Sequence, residues 1–207
     1  MYCGFKRNLK SDIKVAQFAG YVSEHSAYHH GEASLAGTIV GMAQTFVGSN
    51  NIALLHPAGQ FGTRLLGGKD AASPRYIFTR LPALTRLIFH PSDDGLLEYL
   101  EDDGQSIEPA YYVPVVPFAL CNGADGIGTG WATTVPNYAP RALIGIMRRM
   151  ITAVGADVDG ALDELTAIEC GADDLAPAYR GFTGARPAPD ATLPGDARFD
   201  LSRGRER

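Results

Sequence analysis

An arginine directly precedes a tyrosine in the stretch SPRYIFTR, residues 73–80, shortly after the glycine-rich segment GGKD. A tyrosine phenol, with a pKa of ~10, is a poor nucleophile at neutral pH unless positive charge stabilises its anion. The Arg75 guanidinium can supply that charge beside Tyr76, and it can also hold two phosphate oxygens as negative charge develops. The pair therefore has the chemistry of a nucleophile acting at a phosphate, although an ordinary strand aromatic is the commoner meaning of this spacing.

Two histidines stand together in the stretch YHHGE, ahead of an apolar helical pattern. A metal site is one interpretation, but adjacent histidine side chains point in different directions and no third ligand is apparent. Solvated histidines are the default. A third possibility is that His30, beside Gly31 at the start of a helix, donates a hydrogen bond to a phosphate, with Tyr28 and Ser34 flanking the same turn.

The stretch CNGADGIGTGW is glycine-rich and is followed by no helix that could carry a dinucleotide pyrophosphate, so a tight turn is the simpler interpretation. Its unusual residue is Ile127. That side chain either docks into the core or acts as a wedge between base pairs, as in proteins that kink DNA. An acidic stretch from Asp93 to Asp103 could hold paired catalytic carboxylates, and hence a hydrolase, or could bind magnesium. A solvated acidic face is favoured because nothing apolar encloses it.

The elements that would position these residues form an α+β pattern. Apolar stripes predict a helix through Val15–Val22, weakened or split at Gly20, and a second helix through Leu35–Phe46. NIALLHP and RYIFTRL are predicted strands, AGQFGTRLLGGKD a loop or hairpin, and LPALTRLIFHP a short helix. YYVPVVPFAL is predicted to be an edge strand or an irregular extended segment. RALIGIMRRMI is a predicted helix with one face formed by Leu143, Met147, Met150 and Ile151. The order resembles a winged helix, that is, a helix-turn-helix with a wing, which places a helix and a hairpin against DNA.

The chain has 207 residues and a net charge of −5, which argues against a protein that coats nucleic acid over its whole surface. Two basic stretches lie in the first ninety positions, one from Lys6 to Lys14 and one from Arg64 to Arg86, and no Lys or Arg lies between Leu87 and Pro140. We therefore expect a polyanion to meet the first ninety residues. The three cysteines lie far apart, which favours neither a disulfide scaffold nor a zinc site. No apolar run reaches the length of a membrane span and the start is not a secretory signal, so no membrane partner is expected.

Five stretches, in order and spacing, resemble the breakage–reunion region of type IIA DNA topoisomerases, with the eukaryotic DNA topoisomerase II branch the most similar. They are KVAQFAGYVSEHSAYHHGE, AQTFVGSNN, GQFGTRLLGGKDAASPRYIFT, EPAYYVPVVP and NGADGIGTGW. The resemblance runs from about Phe5 to Ile151, and after that only PAYRGFTG is similar to the family.

The resemblance implies a role for each candidate residue. Tyr76 corresponds to the nucleophile that becomes linked to a DNA 5′-phosphate, Arg75 to the neighbour that stabilises the transition state, and His30 to a histidine that contacts the scissile phosphate. Ile127 corresponds to the isoleucine that intercalates and bends the DNA. The remaining positions expected to contact DNA are Tyr28, Ser34, Lys14, Arg64 and Lys69.

The resemblance also implies a domain organisation and partners. Residues 1–114 are expected to be most of a winged-helix DNA-cleavage domain and residues 115–207 the beginning of a tower domain, with a poorly ordered tail after residue 155. The family's acidic metal set in a TOPRIM domain, its ATPase domain and its coiled-coil gate have no match here, so the chain is expected to be a fragment that is inactive alone. Mg2+ and ATP would bind outside it, in a nuclear homodimer that acts on double-stranded DNA. The alternative is a non-catalytic module that binds and bends DNA.

Overall fold

The computed structural model describes residues 1–26, 28–154 and 175–184, and these form two compact units. Unit 1 comprises Met1–Phe46 and Ile52–Val115, and unit 2 comprises Val47–Asn51 and Val116–Arg207. Helices and short antiparallel strand pairs occur in both units, which confirms the α+β class. The predicted tail after residue 155 lies outside the described residues except for 175–184.

The described residues of unit 1 form four helices, two two-stranded sheets and two 3-10 turns. In chain order they are α1 (Tyr2–Lys6), β1 (Ile13–Lys14), α2 (Val15–His25), α3 (Glu32–Ala43), a 3-10 turn (Arg64–Leu66), β2 (Phe78–Thr79), α4 (Ala83–Ile88), a second 3-10 turn (Pro91–Leu96), β3 (Tyr99–Asp102) and β4 (Gln105–Pro109). Strand β1 pairs with β2, and β3 pairs with β4.

Helices α2 and α3 build the core of unit 1, as their apolar spacing predicts. Val15, Phe18 and Ala19 of α2 are buried, and Leu35 and Ile39 head the buried face of α3. Helix α2 continues through Gly20 without a break. Phe46 lies beyond the end of α3, because that helix ends at Ala43.

The strand predictions for unit 1 are largely wrong. NIALLHP forms no strand, because the backbone N–H of Leu54 bonds to the Met42 carbonyl of α3 at 3.0 Å rather than to a neighbouring strand. RYIFTRL supplies only the two residues of β2. The segment YYVPVVP is irregular, as one of its two predicted forms allowed, and the FAL that follows it begins helix α5 instead of continuing an extended segment.

The glycine-rich loop between Ala58 and Ala72 is folded against itself and against α3. Gly62 has a φ of +99°, and a Cβ added there would lie 2.5 Å from the Cα of Gly68. The Gln44 side-chain nitrogen, just after α3, donates to the carbonyls of Phe61 at 2.9 Å and Gly68 at 3.2 Å. The loop therefore has one backbone path, which only glycine at position 62 permits.

An aspartate closes the same loop. One Asp70 carboxylate oxygen accepts the Thr63 backbone N–H at 2.8 Å and the other accepts the Thr63 hydroxyl at 2.7 Å. The hydroxyl first, and then the N–H, hold the pKa of Asp70 below its ordinary value because they stabilise the charged carboxylate. Thr63 and Asp70 thus join the two ends of the segment that carries Arg64 and Lys69.

The described residues of unit 2 form α5 (Phe118–Asn122), a hairpin of β5 (Ala124–Gly128) and β6 (Trp131–Val135), and α6 (Pro140–Val154). Helix α6 was predicted, but its buried residues are Leu143 and Ile146, whereas Ile151 is exposed. The Asn51 side chain donates to the carbonyls of Tyr138 at 3.0 Å and Ala178 at 2.8 Å, which holds the segment around residue 178 in this unit. Among the described residues, no helix is long and apolar enough to cross a membrane.

Replacing Gly62 by alanine should destabilise the fold more than replacing Gly67, which lies in the same loop. Both have positive φ, +99° and +58°, but nothing lies within 4 Å of a Cβ added at Gly67. Gly67→Ala should therefore cost only the left-handed backbone penalty of about 1–2 kcal/mol, and Gly62→Ala should cost about 1–3 kcal/mol more from the backbone clash. Urea unfolding followed by circular dichroism measures both, and equal losses would show that the loop can open around position 62.

The two hydrogen bonds from Thr63 to the Asp70 carboxylate should make the stability of the loop depend on pH in a defined direction. Because its folded-state pKa is lowered, the carboxylate stabilises the fold fully above its unfolded-state pKa of ~3.9, and this stabilisation is lost as the pH falls through the lower folded-state value. Thr63→Val removes the hydroxyl, the largest cause of the shift, and should raise the pKa of Asp70. Carboxyl 13C NMR titration of the wild type and this variant tests the assignment, with Asp12 as a reference carboxylate; an unmoved Asp70 titration would contradict it.

Candidate functional site

The segment that carries Tyr76 is fixed by backbone hydrogen bonds on two sides. Val15 and Ala16, at the start of α2, donate to the carbonyls of Ile77 and Pro74, each at 3.0 Å. Phe78 exchanges two hydrogen bonds with Ala58, at 2.9 and 3.0 Å, on the other side. The path of the chain through Tyr76 is thus set before any ligand arrives.

Side-chain alternation along this segment turns Tyr76 outwards. Ile77 and Thr79 are buried, and the Thr79 hydroxyl donates to the His56 carbonyl at 2.9 Å. Tyr76 precedes Ile77 and lies outside β2. Its side chain is 72% exposed. It is therefore not a packed strand aromatic.

Arg75 and Tyr76 are neighbours in space as well as in sequence. The guanidinium carbon of Arg75 lies 5.9 Å from the centre of the Tyr76 ring, and both side chains are exposed. The Tyr76 N–H donates to the Ser73 carbonyl at 2.8 Å, which closes the turn that presents the pair. A positive charge thus accompanies an accessible phenol.

The turn at residues 28–31, which we call the histidine turn, brings the predicted residues Tyr28, His30 and Ser34 together. The Tyr28 hydroxyl donates to the Ser34 hydroxyl at 2.8 Å, and the rings of Tyr28 and His30 meet edge to face with centres 5.6 Å apart. Gly31, with a φ of +85°, precedes α3 and provides no side-chain cap, so the first N–H groups of α3 lie beside this cluster. A helix start with uncapped N–H groups suits a phosphate oxygen.

One groove connects α3 with the segment that leads into Arg75-Tyr76. It has a volume of about 400 Å³. Its walls are mostly small side chains, from Ala33, Ala36, Gly37, Val40, Gly41 and Gln44 on one side and Gly68, Ala71, Ala72, Ser73 and Pro74 on the other. The helix that begins at the histidine turn and the approach to Tyr76 therefore form a single surface.

Five further basic residues of unit 1 divide into two groups. Lys14, Arg64 and Lys69 are exposed, as DNA contacts would require. Arg80 and Arg86 of the predicted basic stretch are instead bonded to carboxylates: Arg80 to Asp12 at 2.6 Å, and Arg86 to both oxygens of Asp94. The positive charge available to a polyanion is smaller than the sequence indicates.

Ile127 does not dock into the core. It lies on β5 opposite Ala132 of β6, and its side chain is 94% exposed. The tip of the hairpin is the turn at 129–130, so Ile127 projects from a strand rather than from a loop. The acidic stretch, by contrast, lies on the mostly exposed surface around β3, with Asp94 engaged by Arg86.

Two features, one in each unit, were not singled out from the sequence. Gln44 ties α3 to the glycine-rich loop through carbonyls 17 and 24 residues away, a long-range contact that no local pattern signals. Trp131 is 83% exposed on the same hairpin as Ile127. A lone tryptophan beside a glycine-rich turn was the available signal.

Comparison with known proteins matches this chain to one family and to solved structures. The family model for the A subunit of DNA gyrase/topoisomerase IV matches residues 1–192. DNA topoisomerase 2 of Pisum sativum is 55% identical over 89% of this chain and 12% of its own length, and DNA topoisomerase 2-beta of Homo sapiens is 61% identical over 73% of this chain and 9% of its own length. The chain thus spans about a tenth of the curated relatives it matches.

A solved structure, the DNA-binding, cleavage and re-ligation domain of Plasmodium falciparum topoisomerase II, matches with a TM-score of 0.78 at 48% identity. The match covers 92% of this chain and 24% of that one. The resemblance found in the sequence motifs is therefore confirmed, and the chain belongs to the family of the DNA gyrase/topoisomerase IV A subunit.

Proposed function

We propose that this chain is the nucleophile-bearing part of an ATP-dependent type IIA DNA topoisomerase, which passes one duplex through a transient double-strand break in another. The observation that carries the proposal is Tyr76: an exposed phenol beside Arg75, on a backbone fixed by α2 and Ala58. The relatives are named DNA topoisomerase 2, and the matched Plasmodium falciparum structure is a cleavage and re-ligation domain.

In the proposed reaction the Tyr76 oxygen attacks the phosphorus of a DNA phosphodiester. The phenolic proton is released, the bond from phosphorus to the 3′ oxygen breaks, and that oxygen takes up a proton to become a hydroxyl. The 5′-phosphate remains esterified to Tyr76, so the energy of the phosphoester is kept and the hydroxyl can reseal the strand by the reverse step. Arg75 offsets the charge on the phenolate and on the phosphate oxygens.

The histidine turn is proposed to hold the DNA backbone near the cut. His30 would donate to the scissile phosphate, while the linked hydroxyls of Tyr28 and Ser34 and the N–H groups of α3 contact neighbouring backbone atoms. Lys14, Arg64 and Lys69 would add phosphate contacts from β1 and the glycine-rich loop. Such contacts position the duplex without reading its sequence.

We propose that residues 1–114 are a winged-helix DNA-cleavage domain and that residues from 115 begin a tower domain. Helices α2 and α3 would be the helix-turn-helix pair, and they pack together as such a pair requires. The assignment of these residues to a winged-helix domain and a tower domain rests on the family resemblance.

Mg2+ and ATP are proposed to bind elsewhere in a nuclear, homodimeric enzyme. The described residues place no three His, Cys, Asp or Glu side chains where they could share a metal ion. The alternative function, a module that binds and bends DNA without cutting it, is favoured by the exposed Ile127 hairpin and would describe this chain when it is separated from the rest of the enzyme.

Tyr76→Phe should abolish covalent protein–DNA adducts, because the attacking oxygen is removed while the ring and its position are retained. The test uses a chimera in which residues 1–184 replace the matching segment of Pisum sativum DNA topoisomerase 2, supplied with Mg2+ and supercoiled plasmid, and counts adducts after detergent trapping. Tyr111→Phe is the matched control, since Tyr111 is 69% exposed against 72% for Tyr76.

Adducts that persist in Tyr76→Phe, or that vanish in Tyr111→Phe, would refute the assignment of the nucleophile.

Arg75→Lys in the same chimera keeps the positive charge but loses the bidentate hydrogen bonding of the guanidinium, so it should slow cleavage while DNA binding stays near the wild-type level.

Ile127→Ala should reduce DNA bending without lowering the stability of the fold. An exposed side chain contributes little to folding, so the free energy of unfolding should change by no more than about 0.5 kcal/mol. Energy transfer between dyes on the two ends of a short duplex reports the bend. Leu96→Ala, which truncates an aliphatic side chain that is 85% exposed, is the control. Unchanged bending together with a marked loss of stability would restore the core-packing interpretation of Ile127.

A further inference from the structure

The tip of the glycine-rich loop carries a large apolar side chain that the described residues leave in solvent. Arg64, Leu65 and Leu66 form the single 3-10 turn at this tip. Leu65 is 90% exposed. Successive side chains of a 3-10 turn point about 120° apart, because the turn has three residues per turn. Leu65 therefore projects from the tip in a direction of its own, different from those of Arg64 and Leu66.

Backbone hydrogen bonds close the tip without help from the leucine side chains. They run from Gly67 to Arg64 at 3.1 Å, from Gly68 to Thr63 at 2.8 Å and from Lys69 to Leu66 at 3.1 Å. Together with the contacts of Gln44 and Asp70 described above, these bonds fix the path of the loop. Truncation of the Leu65 side chain should therefore leave the shape of the loop unchanged.

The structure describes every residue of the segment 58–80, and this segment is basic. Its charged residues are Arg64, Lys69, Arg75 and Arg80 on one side and Asp70 on the other. Thr63 occupies both oxygens of Asp70, and Arg80 is paired with Asp12. Arg64 and Lys69, which flank the two leucines, are exposed. Such a rim complements a polyanion, whereas a second copy of the same tip would bring like charges together.

The loop and the candidate nucleophile share one stem. Ala58 exchanges two hydrogen bonds with Phe78, two residues after Tyr76, and the Ala72 N–H donates to the Gln60 carbonyl at 2.9 Å. The loop that carries Leu65 therefore leaves from, and returns to, the backbone that presents Tyr76. A duplex bound at Tyr76 would lie beside this stem, so a duplex is the partner that the position of the tip favours.

We propose that Leu65 enters the minor groove of the bound duplex and packs against the sugars that line it, while Arg64 and Lys69 hold phosphates on either side. This inference rests on the proposed function, because it takes the duplex as the partner. Proteins that bind the minor groove combine arginine or lysine with an apolar wedge, and leucine is one of the side chains that serve as wedges. Leu65 is then an apolar DNA contact of unit 1, in addition to Ile127 of unit 2.

Leu65→Ala should weaken the binding of a short A·T-rich duplex to the complete 207-residue chain by about fivefold to tenfold. This is less than the effect of burying a whole leucine, because part of the side chain stays in solvent in a groove. Anisotropy of a dye on the DNA gives the affinity, and circular dichroism shows that each variant is folded. Leu65→Met keeps an apolar side chain of similar size and should recover most of the affinity.

Leu96→Ala is the matched control. Leu96 also belongs to a 3-10 turn and is 85% exposed, but its turn contains Asp93 and Asp94 rather than basic residues. Truncation at position 96 should therefore leave the affinity for DNA unchanged. With netropsin filling the minor groove of the duplex, the wild type and Leu65→Ala should bind equally, and a difference that persists there would overturn the assignment to this groove.

The salt dependence of binding separates a groove contact from a distorted loop. Each phosphate contact contributes about 0.9 to the slope of log affinity against log salt concentration. Leu65→Ala removes no charge, so its slope should equal that of the wild type, whereas Lys69→Ala should lower the slope by about one. A lowered slope in Leu65→Ala would mean that the basic residues lost their phosphates with it, and Leu65 would then be a structural residue of the loop.

The remaining outcomes separate this inference from the proposed function. Equal affinities of the wild type and Leu65→Ala would overturn the role of Leu65 and leave the Tyr76 chemistry untouched. Self-association of the wild type without DNA that Leu65→Ala abolishes would assign the side chain to a second copy. A lower melting temperature of the Leu65→Ala chimera without DNA would assign it to the rest of the enzyme, and either result overturns the inference. A chain that binds no duplex contradicts it too, whereas the adduct test on Tyr76 decides the proposed function separately.

Discussion

The structure depends on the way in which the chain from Pro74 to Arg80 is held between α2 and Ala58. Backbone N–H groups of Val15 and Ala16 on one side, and the paired bonds between Phe78 and Ala58 on the other, fix the backbone path of this segment. Burial of Ile77 and Thr79 then decides which side chains point inwards. In the proposed reaction the nucleophile gains rate from being positioned before its substrate arrives, and the positioning of Tyr76 comes from backbone groups rather than from the phenol itself.

The glycine-rich loop is also held by groups other than those it exposes: Phe61 is buried in the core, and two sets of polar hydrogen bonds fix the rest of its path. Gln44 holds two of its carbonyls and Asp70 holds Thr63 twice, while Leu65 at its tip is almost wholly exposed. Polar clasps leave the outer surface of a loop free for a ligand, because no side chain at the tip is needed to anchor it. The groove between this loop and α3 is lined mostly by small side chains, which leave its backbone open to close approach.

What the sequence could predict follows from how local each cause is. Helices α2, α3 and α6 were found because their apolar spacing repeats within a few residues. NIALLHP was predicted to be a strand because its composition suits one, yet the partner of Leu54 is a carbonyl on α3. Likewise, nothing local shows that Arg80 is paired with Asp12, 68 residues away. The positive charge available in the stretch from Arg64 to Arg86 was therefore overestimated. The role expected for Tyr76 followed from the family resemblance, but the exposure of its side chain could be learned only from the fold.

Tyr76, Ile127 and Leu65 share a property that ordinary folding does not explain. Each is a large side chain in solvent, and each stands on backbone that is fixed by other means: buried neighbours for Tyr76, five opposed residue pairs of β5 and β6 for Ile127, and the hydrogen bonds of the glycine-rich loop for Leu65. A large apolar side chain left in water gives up a stabilisation of about 1.5–3 kcal/mol that burial would have provided. Rigid backbone beneath exposed aromatic and aliphatic groups is the arrangement that lowers the entropy lost when a partner binds. The features that do least for the stability of this chain are therefore the ones that point most directly to what it contacts.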